Sequence, residues 1–531
     1  MTRAARTASA AGAAALASAA AHASVFPPLD LTWLAWIALV PLCLALRCLG
    51  GAGALGCAWL FMSLVTAASV SWLIPTLHGH FRAGLAVAVG FWLALSALSA
   101  APFVALMLGA ASRAGRRGPG LWFPIALAAA WVASEYARAR LGVRTPWILM
   151  GGALYGEPEL RQVARLGGVY AGSALIAYVN AAIAEAILAI ARAPGRASGV
   201  GRALPALASG AALVLAAWLY GDRARSLETP GDAPPPIEVA VVQGNAPSEL
   251  LWTPTGASRV LARHVRMTRS ALEGEPLPDL VVWPENALQT QLDEPALGRT
   301  VTALARLAPL LAGAPHHDTR GGVTRSYNSA TLLRRDGSRA RYDKRLLLPF
   351  SETQPVAGLG FGARGELDVG HYSAGAAPGV YALGPQQIGV LICMEALYPE
   401  LAREAASLGA SVLVVPSNDG WYLGSGGARQ HLYQVVFRAI ETGLPLVRAT
   451  STGVSALVAP DGTIDAELDS GAEGVLRGRT RQRLSPPPYL RVGDAFAISC
   501  LLLTLGAALA PAARARRRRS GPVRGSTAAA A

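Results

Sequence analysis

Three residues in the polar part of this 531-residue chain have types and positions that could do chemistry. Lys344 is the first: all the other Lys and Arg residues, 47 in total with it, are arginine. Arginine is a broad, planar, permanently charged fork, whereas lysine is a compact charge on a thin stem that can reach a single atom. The second is Cys393. Of five cysteines, Cys43, Cys48, Cys57 and Cys500 sit in apolar stretches, and Cys393 alone lies in polar sequence. The third is Glu285, which ends the β-rich run DLVVWPE. A thiol can act as a nucleophile, a carboxylate can take its proton, and an ammonium can stabilise both the thiolate and a developing oxyanion. Together they make an acyl-transfer site that needs no metal and no cofactor. Singly each has a plainer reading: a strand-end cysteine as a core hydrophobe, a Glu after Trp-Pro as a solvated turn, a lysine as a structural ion-pair partner.

The elements that must position them belong to two kinds of chain. Mean hydropathy is +0.36 and 15% of residues are charged, against about 25% in an ordinary soluble protein. The apolar character is uneven. Residues 1–221 are almost continuous Ala, Leu, Val and Trp, 222–236 (DRARSLETPGDAPPP) are a Pro-rich linker, 237–485 read as a globular domain, and 486–531 hold a last apolar segment and the basic tail RARRRR. A spanning helix needs about 20 apolar residues. Segments 8–25, 31–47, 52–75, 84–111, 120–141, 163–192, 203–221 and 492–513 are candidates, so about eight spans are expected. The first, with Arg3 and Arg6 ahead of it, also fits a cleaved signal peptide; a retained helix is preferred because FPPLDL joins it tightly to the next span.

The net charge of +14 does not imply nucleic acid. The arginines cluster in short loops (Arg47; Arg113, Arg116 and Arg117; Arg192, Arg196 and Arg202) and in the tail, which is the pattern of cytoplasmic membrane loops. That rule puts both termini in the cytoplasm and the large polar domain outside. The tail could touch anionic lipid. His78, His80 and Glu135 fall near span ends, where interfacial packing is the simpler reading and function the alternative.

Within the polar domain, short β-rich runs alternate with helical patterns, giving an α/β layered fold. IEVAVVQGN, DLVVWPEN and SVLVVPSND read as buried strands, PLLAGAP as strand-like, and 256–273, 295–308 and 427–442 as helices. Residues 326–344 read as a hairpin around Asp336-Gly337, and the region from Pro445 to Ile464 as a closing hairpin turned at Asp461-Gly462. Glu285, Lys344 and Cys393 then all fall at strand ends, where α/β sites form. Cys393 sits where IGVLIC turns toward a helix, whose dipole is expected to lower the thiol's pKa.

The runs VVQGNAPSELLW, VVWPEN, YDKRLLLPFSE, GVLICMEALYPE, SNDGWY and RAIETGLPLVRATSTGVSALVAPDG resemble the nitrilase superfamily. Seven preceding spans and one following resemble the bacterial apolipoprotein N-acyltransferases, over nearly the whole chain. The resemblance implies an α-helical transmembrane bundle carrying an extracytoplasmic nitrilase-like αββα sandwich. It implies Glu285, Lys344 and Cys393 as the catalytic set, Glu352 and Glu395 as supporting carboxylates, and Trp252 and Tyr422 near the site. It further implies a multi-pass protein of the bacterial inner membrane with its catalytic domain on the periplasmic side. The acyl donor would be a membrane phospholipid and the acceptors diacylglyceryl-modified apolipoproteins. Two departures bear on the acyl pocket: Ser351 and Thr353 stand where the family usually has PFGEY, and Met394 where an aromatic commonly follows the cysteine.

Other motifs carry less. GFGARG (360–365) fits G-x-G-x-x-G but neither follows a strand nor opens a helix, so dinucleotide binding is rejected. The Gly-rich 357–377 stretch is expected to be a mobile loop over the site, and His316-His317 a solvated loop rather than a metal site. Two rivals remain: a membrane-tethered nitrilase-type amidase acting on small amides, and a non-enzymatic transporter or receptor. Many spans argue against the first, and the lone Lys and lone polar-domain Cys against the second.

Overall fold

The computed structural model describes residues 3–115, 120–142, 144, 146–227, 231–246, 253–349, 351–353, 372–422 and 424–519. Its C-terminal half contains two six-stranded sheets. The first, in spatial order, is β12 (Gly474–Arg479), β1 (Glu238–Gln243), β2 (Leu280–Val282), β3 (Leu310–Arg320), β4 (Val323–Leu333) and β5 (Arg339–Asp343). The second is β11 (Ile464–Leu468), β10 (Ser455–Val458), β9 (Leu446–Thr450), β8 (Val412–Ser417), β7 (Gln386–Val390) and β6 (Gly379–Leu383). The central strands run parallel, β1 to β2 to β3 and β7 to β8 to β9. The outer pairings are antiparallel.

Strand periodicity sets the layers. Successive side chains point to opposite faces. Val239 and Val241 therefore join Leu280, Val282, Ile388, Val390, Val412 and Val414 between the sheets. Ala240, Val242 and Val281 face the helices Pro254–Glu273 and Pro295–Leu307. On the second sheet Leu413, Val415 and Leu446 face Pro399–Ser407 and Gly427–Thr442. The order is helix, sheet, sheet, helix. Strands apolar on both faces are what a sheet covered on both sides requires.

Two features of the sheets differ from the sequence reading. The strand expected at 309–315 continues to Arg320 and turns at Gly321-Gly322, both at positive φ, to form a long hairpin with β4. His316 and His317 accordingly lie on β3, not in a loop, and His316 stacks on Tyr327. After the hairpin of β10 and β11, the chain crosses back and lays β12 against β1 in the other sheet.

The N-terminal half is helical. Among the described residues, four helices are long and apolar enough to cross a membrane: Gly51–Ser69, Leu85–Ser112, Val169–Ala191 and Arg196–Arg225. Many of their leucines, such as Leu93, Leu106, Leu204 and Leu215, face outward and exposed, as a bilayer-facing surface would. The other expected spans take different forms. Segment 31–47 is broken into a 3-10 turn, Thr32–Trp36, and a short helix, Val40–Cys48. Trp122–Arg140 carries Glu135, Arg138 and Arg140. Arg3–Ser24 packs its Ala15, Ser18 and Ala19 side inward, and Ser18 accepts a hydrogen bond from the Leu42 amide at 2.9 Å. The last helix is Ala495–Arg519.

The helical region docks on the outer side of the second sheet through polar contacts. Gln430 donates to Pro27 O at 2.6 Å and accepts from Trp147 at 2.9 Å. Tyr155 stacks on Tyr433, and both hydroxyls donate to Asp30. Arg161 donates to Asp461 O and Thr463, and Tyr398 to Arg144 O. Glu441 accepts the Val169 amide at 2.8 Å, capping the start of one long helix. Residues 146–163 fold against this face ahead of the next long helix, and Glu135 anchors them by accepting the Met150 amide at 2.7 Å.

Candidate active site

One edge of the paired sheets gathers the chemically capable side chains. Glu285 follows β2, Lys344 follows β5, and Cys393 follows β7. The local sequence explains each placement. Pro284 stops β2, and Gly313 on the neighbouring strand leaves room beneath Glu285: a Cβ there would come within 2.3 Å of Pro284 O and 2.8 Å of Glu285 Cα. Cys393 has a φ of +54°. This sharp turn, unusual for a non-glycine residue, lifts the thiol out of the strand direction.

Lys344 Nζ lies 3.1 Å from Glu285 Oε1 and 3.0 Å from the Glu352 carboxylate. The Asn328 amide donates to both carboxylates at 2.7 Å. Glu285 Oε2 accepts the Asn418 amide N–H at 2.8 Å, and Glu352 Oε2 the Leu348 N–H at 2.7 Å. All these side chains are buried. Burial works against the charge of Lys344, but Glu285 and then Glu352 outweigh it and hold the ammonium charged well above the usual lysine range.

The thiol behaves differently from the sequence expectation. Burial pushes the Cys393 pKa well up, the Glu285 carboxylate adds to this, and Lys344 offsets only part of it. The helix that was to lower it is a five-residue 3-10 turn, Cys393–Leu397, and the α-helix starts at Pro399. A single 3-10 turn has too few aligned peptides for a large dipole. The resting group is thus a protonated thiol.

Glu395 stands in the same turn, fully buried. It accepts from Tyr342 OH at 2.9 Å and from the amides of Arg345, Leu346 and Ile392 at 2.7, 3.0 and 2.8 Å. It thereby ties the segment after Lys344 to the turn of Cys393. Tyr422 is buried, with its hydroxyl 4.0 Å from Met394 Sδ and its ring edge-on to Trp72 at 4.8 Å and tilted to Trp147 at 5.7 Å. Trp72 and Trp147 come from the helical region, so the neighbour of Cys393 meets an aromatic wall built from both halves. Trp252, GFGARG and most of 357–377 lie outside the described residues.

The carbon-nitrogen hydrolase family model matches residues 238–482, and the model of the apolipoprotein N-acyltransferase N-terminal domain matches residues 18–182. The apolipoprotein N-acyltransferase of Geobacter metallireducens is 32% identical over 500 residues, covering 93% of both chains. That of Azotobacter vinelandii is 34% identical over 507 residues, covering 93% of this chain and 94% of its own. This chain belongs to the apolipoprotein N-acyltransferase family. It is an acyltransferase with a nitrilase-like domain behind a helical one. Among solved structures, Nit3 of Saccharomyces cerevisiae, a member of branch 10 of the nitrilase superfamily, aligns with 51% of this chain and 97% of its own at 19% identity and a TM-score of 0.38.

In this family member the structure adds residues that the sequence reading passed over. Asn328 bridges the two carboxylates from mid-strand in β4. Tyr372, half-buried, lies within the field of Glu352, Glu285 and Lys344, and desolvation first, then Glu352, raises its phenol. Asp419 pairs with the wholly buried Arg448 at 2.7 Å. An arginine within the apolar run PLVRAT was a legible signal, since a cation in a buried strand needs a partner. Of the span-end candidates, Glu135 is buried and holds Met150 and Trp131, whereas His78 contacts Ala83 O.

Proposed function

We propose that the chain transfers a fatty acyl group from a membrane phospholipid to the α-amine of an N-terminal diacylglyceryl-cysteine on lipoproteins, through a thioester on Cys393. The observation that carries this reading is the contact of the Cys393 turn, through Met394 and Tyr422, with Trp72 and Trp147 of the helical region. An acyl chain held by those helices would end at the thiol. A nucleophile serving small soluble amides has no need of such a wall.

The steps follow from the geometry. Glu285 takes the Cys393 proton as Sγ attacks the ester carbonyl carbon. Lys344 stabilises the negative charge on sulfur and then on the carbonyl oxygen. The ester C–O bond breaks, and the lysophospholipid alcohol leaves with the proton from Glu285. The acceptor amine then attacks the thioester carbonyl, Glu285 takes a proton from the nitrogen, and the amide forms as the thiol is restored. Glu352 and Glu395 support the set, Glu352 by holding Lys344 and Glu395 by holding the chain on either side.

The proposed organisation has about eight spans: seven in residues 1–221, the linker 222–236, the catalytic domain 237–485 and a final helix with its basic tail in 486–531. Both termini face the cytoplasm of a bacterial inner membrane, and the catalytic domain faces the periplasm. The arginine loops support this orientation. In a cysteine-free background, Ser226→Cys should react with an impermeant maleimide on intact spheroplasts, and Ser520→Cys should not.

Mass spectrometry of the purified protein tests the chemistry. After incubation with phospholipid vesicles, Cys393 should carry an acyl-mass thioester. A diacylglyceryl-cysteine peptide should discharge it and become N-acylated. Release of free fatty acid alone, or amide hydrolysis with no lipid adduct, would overturn the reading.

A further inference from the structure

The turn that follows β8 carries a buried charge that touches none of the reacting groups. Asn418 gives its backbone N–H to Glu285, and its side-chain oxygen accepts from Ser451 Oγ at 2.6 Å and from Gly420 N at 3.1 Å. The next residue, Asp419, is 3% exposed. Its Oδ2 accepts from Arg448 Nη2 at 2.7 Å, and its Oδ1 lies 3.2 Å from His431 Nδ1. Arg448 and His431 are fully buried, and Arg448 Nε also donates to Val454 O at 3.2 Å. Gly453 closes the pocket, since a Cβ there would meet Asp419 Oδ2 at 2.1 Å. Two residues further, Thr76 of the helical region donates to Trp421 O.

We infer that Asp419 is a positioning residue: clamped by Arg448 and His431, it fixes the turn after β8 so that Asn418 keeps its N–H on the catalytic base Glu285. The inference rests on the proposed role of Glu285 in acyl transfer. A buried ion pair costs several kcal/mol in desolvation and is often replaceable by apolar residues without loss of stability, so stability alone is a weak reason for this one. Its place, one peptide from the N–H that holds the base, gives it a different task. The charged and titratable groups around it are Arg448 and His431, with Cys393 and Tyr422 within its field, and Glu285 acts on the same His431, Cys393 and Tyr422.

Asp419→Asn tests this, because it keeps shape and removes charge. In the full chain in detergent, the rate of Cys393 alkylation by iodoacetamide is followed against pH, with the site read by peptide mass spectrometry. If Asp419 positions the base, alkylation at pH 7 should slow roughly tenfold and the acid side of the profile should move up by about one pH unit. If Asp419 acts only by its charge on the thiol, the opposite follows. Burial and Glu285 are the larger causes that push Cys393 up and Asp419 adds to them, so removing that charge would quicken alkylation and move the profile down. That result, or a profile superimposable on wild type with only a lower Tm, overturns the inference. Should the Asn variant not fold, Arg448→Lys keeps the charge pair and should move the profile in the same upward direction by less; no movement, or a downward one, overturns it equally. Alkylation needs no lipid. A wild-type chain that forms no thioester from phospholipid vesicles, while Asp419→Asn shifts alkylation as expected, would reject the proposed reaction and keep the positioning role.

Discussion

Asn418 and Glu285 join the two sheets at the site: the amide that ends β8 in one sheet binds the carboxylate that ends β2 in the other, at 2.8 Å. With Asn328 on Oε1 and Lys344 beside it, both oxygens of Glu285 are held by donors from elements distant in sequence. A carboxylate fixed this way cannot rotate to follow a displaced partner, which makes the site sensitive to small changes around it.

Lys344→Arg should be nearly as damaging as Lys344→Ala. The ammonium fills a gap between Glu285 and Glu352, about 3 Å from each and 2% exposed. A planar guanidinium carries its charge further along a wider group and has no room there. Loss of one well-placed charge donor costs on the order of 10²–10³ in rate. Single-turnover acylation is the measurement, and an Arg variant within about tenfold of wild type would make Lys344 a generic cation.

Cys393→Ser should abolish turnover and leave the fold intact. The native thiol is already held protonated by burial and by Glu285, and an alcohol is harder still to ionise and a weaker nucleophile. The cavity needs no repacking, since oxygen is smaller than sulfur. More than a few per cent residual N-acylation would refute the assignment of the nucleophile.

Gly313→Ala should displace Glu285. The new methyl would meet Pro284 O at 2.3 Å and Asn286 N at 2.8 Å. These are backbone atoms that cannot swing aside, so the strand end must move. A stability loss of about 1–3 kcal/mol is expected, with a fall in acylation rate larger than the stability loss explains. Normal acylation by the folded fraction would count against the account of Gly313.

Glu441 should give the chain a pH-dependent stability. Burial raises its carboxyl from 4.5 to about 7, with Arg438 and the Val169 amide offsetting part of the shift. The folded chain then holds a proton that the unfolded chain releases above 4.5. This contribution is fully present below pH 4.5 and is lost as pH rises through about 7. The total change is on the order of 3 kcal/mol. Glu441→Gln cannot titrate, so its apparent Tm relative to wild type should improve from pH 5 to pH 8. A difference that stays constant over that range would show that the carboxyl does not titrate there.

The chain's own composition picked out the chemistry. A single lysine among arginines and a single cysteine in polar sequence are visible without any structure, and strand-like runs before Glu285 and Cys393 put both at sheet edges. The central strands and the helices at 254–273, 295–307 and 427–442 were legible because their apolar period is local. The alternation that buries Val239 between sheets and Ala240 under a helix is written in successive residues.

What only the tertiary structure decided depends on partners far away in sequence. The hairpin at Gly321-Gly322 was not read from the sequence, which ended the strand at 315, because how far β3 and β4 run together depends on their pairing. β12 finds its partner across the sandwich at β1. Segment 31–47 is apolar along its length, yet it folds as a 3-10 turn and a short helix rather than one continuous helix, and the Leu39 amide binds Asn180 at 2.8 Å. The thiol's environment was misread from local signals because desolvation and the Glu285 charge, both products of packing, outweigh one short turn. Asn328 and Asp419 are ordinary polar residues in the sequence, where only Arg448, set in an apolar run, stands out; packing of Asn328 against Glu285 and Glu352, and of Asp419 against Arg448, is what gives them their places.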